Sequence, residues 1–212
     1  GAEVTAVEKD KALVLMLQNK FKNPKDRVEI VEGDILKILG RETAGLKSLG
    51  YKLAGNIPYY LTGKLLRTVG ELKNKPHLTV FTIQKEVAER VSAKPPKMNL
   101  LGASVQIWAK PEIVSRVSKK YFKPQPKVDS AILKLITLPP RSWGKCYEDG
   151  RYYRLIKRLF KQPRKTILNN LRADSSTNAD AISNILRQNN IDPMKRPQDL
   201  TVEDIKRLTD VV

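Results

Sequence analysis

The chain has 212 residues, with 40 lysines and arginines against 22 aspartates and glutamates and a formal charge of +18. That length holds one medium-sized domain with a small appendage and a real core, and so much like charge calls for a polyanionic partner, nucleic acid before an anionic membrane face. One cysteine, Cys146, excludes an intrachain disulfide and fits a reducing cytoplasm; one histidine, His77, leaves no metal-ligand set; no apolar run is long enough to cross a bilayer.

No secretory signal opens the sequence. Its first two-thirds alternates strand-like and helix-like segments. Val4-Thr5-Ala6-Val7 predicts a strand, and residues 11–21 predict a helix. The run Ala12-Leu13-Val14-Leu15-Met16-Leu17 in that helix is short and lysine-flanked, as for a buried face. Val28-Glu29-Ile30-Val31 predicts a second strand, ending at Glu32-Gly33-Asp34. Lys52-Leu53-Ala54 predicts a third, leading into Asn56. Residues 61–73 have helical spacing. Leu78-Thr79-Val80-Phe81-Thr82-Ile83 is a continuous apolar run, the pattern of a strand buried on both faces, with His77 a polar residue at its end. Helices are expected over 85–91 and 100–109, then strands over 112–117 and 131–138. Glu86 and Arg90 have the spacing of a helical ion pair. Lys94-Pro95-Pro96-Lys97 is a basic loop. This alternation predicts a mostly parallel sheet with helices on both sides.

Pro139-Pro140-Arg141-Ser142-Trp143-Gly144 marks a boundary, dividing the chain into 1–139 and 140–212. Beyond it the pattern is wholly helical, over 152–160, 165–171, 179–188 and 202–209. Thr201 with Asp204 makes a capping-box start for the last helix, with Asp in place of the usual Glu or Gln.

The stretch Asn56-Ile57-Pro58-Tyr59 carries the chemistry. It predicts a strand that stops at a proline-stiffened turn bearing an amide and an aromatic ring. An adenine amino group is a poor nucleophile because its lone pair is delocalised into the ring. The Asn56 side-chain oxygen and the Ile57 carbonyl are two acceptors able to take its hydrogens, pull the nitrogen toward tetrahedral geometry and localise the lone pair. Tyr59 offers a stacking face, worth about 1–3 kcal/mol per base. The structural alternative is an ordinary strand end, with Asn capping backbone and Tyr packing.

In open α/β sheets ligands sit at the carboxyl ends of strands, where Glu8, Asp34 and Asn56 fall. Glu8 has the place of a carboxylate that accepts from ribose hydroxyls. Asp34 is placed to accept from an adenine amino group, with the Ile35 amide donating to the ring. A solvated loop end for Glu8 and a helix N-cap for Asp34 are the alternatives.

A second pattern follows, Phe122-Lys123-Pro124-Gln125-Pro126-Lys127-Val128-Asp129-Ser130-Ala131, whose prolines predict a stiff, extended loop. Together and in this order, the two patterns resemble those of KsgA/RsmA-type ribosomal RNA small-subunit adenine dimethyltransferases. Gln84-Lys85-Glu86-Val87-Ala88-Glu89-Arg90 matches as well, and the resemblance runs through nearly the whole chain. It implies a Rossmann-like methyltransferase domain over 1–139 and a helical rRNA-binding domain over 140–212. The implied activity is N6,N6-dimethylation of adjacent adenosines in small-subunit rRNA during ribosome biogenesis, using S-adenosylmethionine. The implied setting is a cytoplasmic monomer, its missing segment included, acting on the immature small subunit. Phe122 would then close on a flipped adenine opposite Tyr59, with Lys127 at a phosphate. Glu8, Lys9, Asp34, Ile35 and Asn56 would contact the cofactor. The tail cations Lys157, Arg158, Lys161, Arg164 and Lys165 would meet phosphates. Bland alternatives are a core anchor for Phe122, a solvated lysine for Lys127, and a solvated helix face behind Pro163 for the tail.

One part of the family pattern is absent. Gly1-Ala2-Glu3-Val4 resembles the approach to the second strand of the fold, so the central first strand and its glycine-rich turn are missing. Their loss is expected to leave unpaired backbone on both neighbouring strands and weak or no cofactor binding by this chain alone. Methyl transfer to a neutral amine needs no general base, and none is assigned. Two further readings stand beside the first. One is the large-subunit methylase of the macrolide-resistance type, which shares the Asn-x-Pro-Tyr turn. The other is a non-catalytic assembly factor that keeps the RNA surface alone.

Overall fold

β1 (Val4–Glu8) and β2 (Val28–Glu32) run parallel in register, Val4 opposite Val28 and Glu8 opposite Glu32, and α1 (Lys11–Lys20) joins them. This is the first unit of a computed structural model that describes residues 2–43, 50–173 and 178–211, so Gly1 lies outside it. Asp10 starts α1 by accepting from the amides of Ala12 and Leu13 at 2.8 and 3.3 Å. Within the apolar run only Val14 is buried; Leu13, Leu15 and Met16 are exposed, Met16 at 63%. The expectation of a wholly buried face is therefore corrected. Consecutive apolar residues point all round a helix, and α1 packs mainly on β2 and β1, which cover one stripe.

After α2 (Ile35–Glu42) comes a four-stranded sheet of β3 (Lys52–Asn56), β4 (Leu78–Gln84), β5 (Ala109–Val117) and β6 (Ser130–Thr137), in the order β3-β4-β6-β5. β3 and β4 are parallel, while β6 is antiparallel to both β4 and β5. The sheet is mixed rather than mostly parallel. β6 reverses because the connection from β5 stays at one end of the sheet and needs no crossover. Among the described residues β1 and β3 do not pair, so the strands form two separate sheets.

β4 buries Thr79, Phe81 and Ile83 and half-buries the alternate residues, which corrects the expectation of two buried faces. Val80 and Thr82 are β-branched and suit a pleated, half-covered face equally well. α3 (Thr62–Glu71), α4 (Lys85–Val91) and α5 (Leu100–Gln106) complete this part. On α4 the ion pairs go to Glu89, from Lys85 at 4.0 Å and Arg116 of β5 at 3.6 Å, rather than between Glu86 and Arg90. Arg116 crosses from another strand, a partner that helical spacing does not show.

The tail holds α6 (Lys145–Glu148), α7 (Arg151–Leu159), α8 (Ile167–Arg172), α9 (Ala179–Gln188) and α10 (Val202–Thr209). The short α6 was not expected. The capping box at α10 forms in full, Asp204 N–H donating to Thr201 Oγ1 at 3.1 Å and Thr201 N–H to Asp204 Oδ2 at 2.9 Å. Apolar packing crosses residues 139–140 without a break, from Leu65, Phe81 and Leu133 through Trp108 and Tyr152 to Leu186 and Leu208. Lys75 is buried at this junction. Its ammonium lies 4.3 Å from the Trp143 ring centre and 5.2 Å from that of Tyr147, and it donates to the Leu72 carbonyl at 2.6 Å. A desolvated cation on two aromatic faces holds α6 against the end of α3.

Candidate active site

β3 ends at Asn56, opposite Thr82 of β4, and the Ile57 amide extends the ladder by donating to the Thr82 carbonyl at 3.0 Å. A Cβ at Gly55 would meet only the tip of the Ile57 side chain, at 2.8 Å from its Cδ1. Pro58 has no amide hydrogen to satisfy and a fixed φ. Its carbonyl accepts from Leu61 at 2.9 Å and closes a single 3-10 turn, Tyr59–Leu61, that leads into α3. Asn56 is exposed, and among the described residues its amide has no partner. Nor does any described residue donate to the Ile57 carbonyl. Two acceptors therefore stand uncommitted at the carboxyl end of β3.

Tyr59 is half-buried, and its hydroxyl lies 2.9 Å from Ser130 Oγ at the start of β6. Ser130 is opposite Gln84, the last residue of β4. Asp129, next in line, holds two segments: its carbonyl accepts from the Lys85 amide at 3.0 Å, and its Oδ1 from the Lys119 amide at 3.0 Å. The Phe122 amide donates to the Lys119 carbonyl at 3.2 Å. Phe122 thus hangs from the same run of contacts that positions Tyr59, and both residues follow strands that finish at the same end of the sheet. The loop is bent rather than extended, with a cis peptide bond between Lys123 and Pro124. Lys127 is exposed. Sequence inspection assigned no role to Ser130 or Asp129. Their partners lie 71 and 10 residues away, and the longer pairing leaves no local signal.

At the ends of β1 and β2, Glu8 Oε1 accepts from the amides of Lys9 and Asp10 at 2.6 and 2.8 Å. Asp34 caps α2, Oδ1 accepting from the Leu36 amide at 3.0 Å, while Oδ2 is 3.6 Å from Lys9 Nζ. The Leu36 amide, and then Lys9, hold the Asp34 carboxyl below its usual range. Cap and ligand acceptor are compatible roles, because each carboxylate commits one oxygen to the backbone, while the second oxygen of Asp34 faces only the exposed Lys9 ammonium. Ile35 opens α2 directly after Asp34. Glu8, Asp34 and Asn56 each stand at the carboxyl end of a strand.

In the tail, Lys157, Lys161, Arg164 and Lys165 are exposed. Arg158 is turned inward, its Nη2 donating to the Leu171 carbonyl at 3.0 Å, so part of its donor set is spent on α8. Asn170, buried, braces the loop between α7 and α8. It accepts from the Gln162 amide at 3.0 Å, and its Nδ2 donates to the carbonyls of Gln162, Lys165 and Thr166 at 3.0–3.3 Å. This side chain holds three of the cations in a fixed loop. The sequence signal for it is slight, an amide inside a helix where amides are poor formers. Replacing Asn170 with Ala strands one amide and loosens three carbonyls. It is expected to cost about 2–4 kcal/mol, read as a lower urea midpoint, and to weaken RNA binding as the loop loosens.

The comparisons with known proteins follow the same line. The model of the family described as Ribosomal RNA adenine dimethylase matches residues 2–210. Ribosomal RNA small subunit methyltransferase A of Dehalococcoides mccartyi is 37% identical over 209 residues, covering 98% of this chain and 70% of that protein. The protein of the same name from Clostridioides difficile is 33% identical, covering 99% and 73%. Among solved structures, a dimethyladenosine transferase from Plasmodium falciparum superposes with a TM-score of 0.77 at 22% identity, covering 97% of this chain and 80% of that one. The 23S rRNA methyltransferase ErmE gives 0.67 at 22% identity, covering 98% and 81%. These two share the fold. With the match spanning nearly every residue, the chain belongs to the ribosomal RNA adenine dimethylase family.

Proposed function

We propose that this chain serves S-adenosylmethionine-dependent N6,N6-dimethylation of adjacent adenosines in small-subunit ribosomal RNA. The observation that carries the reading is the pair of uncommitted acceptors, Asn56 Oδ1 and the Ile57 carbonyl, at the end of the sheet where Tyr59 is held by Ser130 and Phe122 by Lys119. The two oxygens take the hydrogens of an adenine amine and turn its lone pair out of the ring. Tyr59 and Phe122 hold the flipped base by its faces, and alignment of nitrogen with the methyl carbon supplies much of the rate. After transfer the amine's proton leaves to water.

S-adenosylmethionine supplies the electrophilic methyl group when bound. Its nucleoside half suits the acceptors present: Glu8 for ribose hydroxyls, Asp34 and the Ile35 amide for the adenine edge, with Lys9 beside Asp34. Lys127 meets a phosphate near the target. Residues 140–212 form the rRNA-binding part, with Lys157, Lys161, Arg164 and Lys165 on phosphates and Arg158 chiefly bracing α8. The partner is the immature small subunit in the cytoplasm, met by a monomer.

Incubation with methyl-labelled S-adenosylmethionine, raised to concentrations that saturate a weak site, and immature small subunits tests this. Label is expected in dimethyladenosine of small-subunit RNA. Label in large-subunit RNA alone indicates the macrolide-resistance type, and RNA binding without label indicates an assembly factor. The tail is tested separately. Arg164→Glu with Lys165→Glu is expected to weaken RNA binding and flatten the log K against log salt slope by roughly 2, about 0.9 for each lost phosphate contact. An unchanged slope places the RNA elsewhere.

A further inference from the structure

Two tyrosines beside the site stand almost wholly in water, Tyr60 at 85% and Tyr121 at 82% exposure. A tyrosine ring normally covers apolar surface, and these cover almost none. Neither is on a loose segment. Tyr60 lies in the 3-10 turn closed by Leu61 and Pro58, and Tyr121 in a second such turn, Lys119–Tyr121, whose amide donates to the Ser118 carbonyl at 3.1 Å. One run of contacts ties the two turns together. Tyr59 bonds to Ser130, Ser130 adjoins Asp129, and Asp129 holds Lys119.

The two rings flank the site. Tyr60 follows β3 and Tyr121 follows β5, the outer strands of the sheet, so their turns are three strand spacings apart, roughly 14 Å. Asn56 and Phe122 belong to the same end of the sheet. The segments that carry the rings are basic, with Arg67 paired to Glu71 and Arg116 to Glu89. Lys64 stands on one side and Lys119, Lys120 and Lys123 on the other. Within residues 57–68 and 115–131 the single carboxylate is Asp129, whose Oδ1 is already held by the Lys119 amide. Exposed aromatic faces set among lysines are the means by which proteins hold unpaired nucleotides, by stacking with phosphate contacts.

We infer that Tyr60 and Tyr121 are stacking platforms for the unpaired nucleotides on the two sides of the target adenosine. This rests on the proposed function and adds a selectivity to it: the site takes an adenosine from single-stranded RNA, because paired neighbours have no free face to offer. The bases are held without being read, since a ring face accepts any of the four.

The test uses an RNA hairpin with two adjacent adenosines in its loop, and a second hairpin with abasic sites on both sides of that pair. Binding is measured at low salt by fluorescence anisotropy. Tyr60→Ala and Tyr121→Ala are each expected to weaken binding to the intact loop by about 5- to 100-fold. The Phe variants should stay close to the parent, and the Leu variants should match Ala. On the abasic hairpin the Ala penalty should vanish. Unchanged binding by the Ala variants overturns the inference, as does rescue by Leu or a penalty that persists without the bases. Methyl incorporation is read in parallel. Tyrosine-dependent binding without methyl transfer supports the platforms and defeats the enzymatic reading, whereas transfer by the parent with unaffected Ala variants defeats the platforms alone.

Discussion

Asn56→Ala is expected to lower methyl transfer by about 100- to 1,000-fold, the effect of removing one preorganised group from the reacting centre, while leaving the fold intact. The side chain is exposed and has no hydrogen-bond partner among the described residues, so its loss strands none of their polar groups. The backbone of the turn is held by the Ile57 amide on Thr82 and by Leu61 on Pro58, neither of which involves the Asn56 amide. The Ile57 carbonyl remains, and with it part of the polarisation. Asn56→Asp is the informative partner. It keeps an acceptor of similar reach and should retain more activity than Ala, though less than the parent because of the added charge. Single-turnover kinetics with labelled methyl donor measure both, and thermal melts confirm folding. Loss of less than tenfold for Ala would remove the amide from the chemistry.

Tyr152→Ala is expected to destabilise the protein by about 4 kcal/mol, the usual cost of deleting a large buried ring. Tyr152 has no exposed surface, and its hydroxyl donates to the Ala103 carbonyl in α5 at 3.1 Å. Its neighbour Tyr153 reaches the Ser104 carbonyl at 3.2 Å, and the two rings meet edge to face. These tyrosines dock α7 onto α5, and through them the tail shares the core of the sheet. For a chain of this size the loss corresponds to a fall in Tm of roughly 8–16 °C. Tyr152→Phe keeps the ring and forfeits one hydrogen bond, about 1 kcal/mol. Because packing runs through residues 139–140 without a break, parent and variant should each melt in one transition. Two separated transitions would show that the tail folds by itself and that Tyr152 does not couple it to the sheet.

Much of the candidate site was legible locally. Pro58 fixes its own φ, so a turn after β3 follows from the residue itself. Asn56 and the Ile57 carbonyl were singled out by chemical type, and no described residue hydrogen-bonds to either oxygen. The capping box of α10 needs residues three apart, and it forms in full. Alternating apolar segments marked most helices and strands within a few residues. Where this reading failed, composition was ambiguous about direction. The run in α1 was apolar enough for a core helix yet buries one residue, since a helix buries only the stripe that has something to lie against. The apolar run of β4 fitted burial on two faces and on one.

The sequence by itself determined the charge that seeks a polyanion, the turn that carries two acceptors, and the order of strands and helices along the chain. Those properties belong to single residues or to neighbours a few positions apart. Only the tertiary structure decided which strands pair, that β6 runs against β4, that Ser130 grips Tyr59 across 71 residues, that Asp129 hangs Phe122 from the same point, and that Asn170 braces the basic loop. Each depends on segments distant in sequence becoming neighbours, and a long-range contact rewards no particular residue until the chain has closed the loop that makes it.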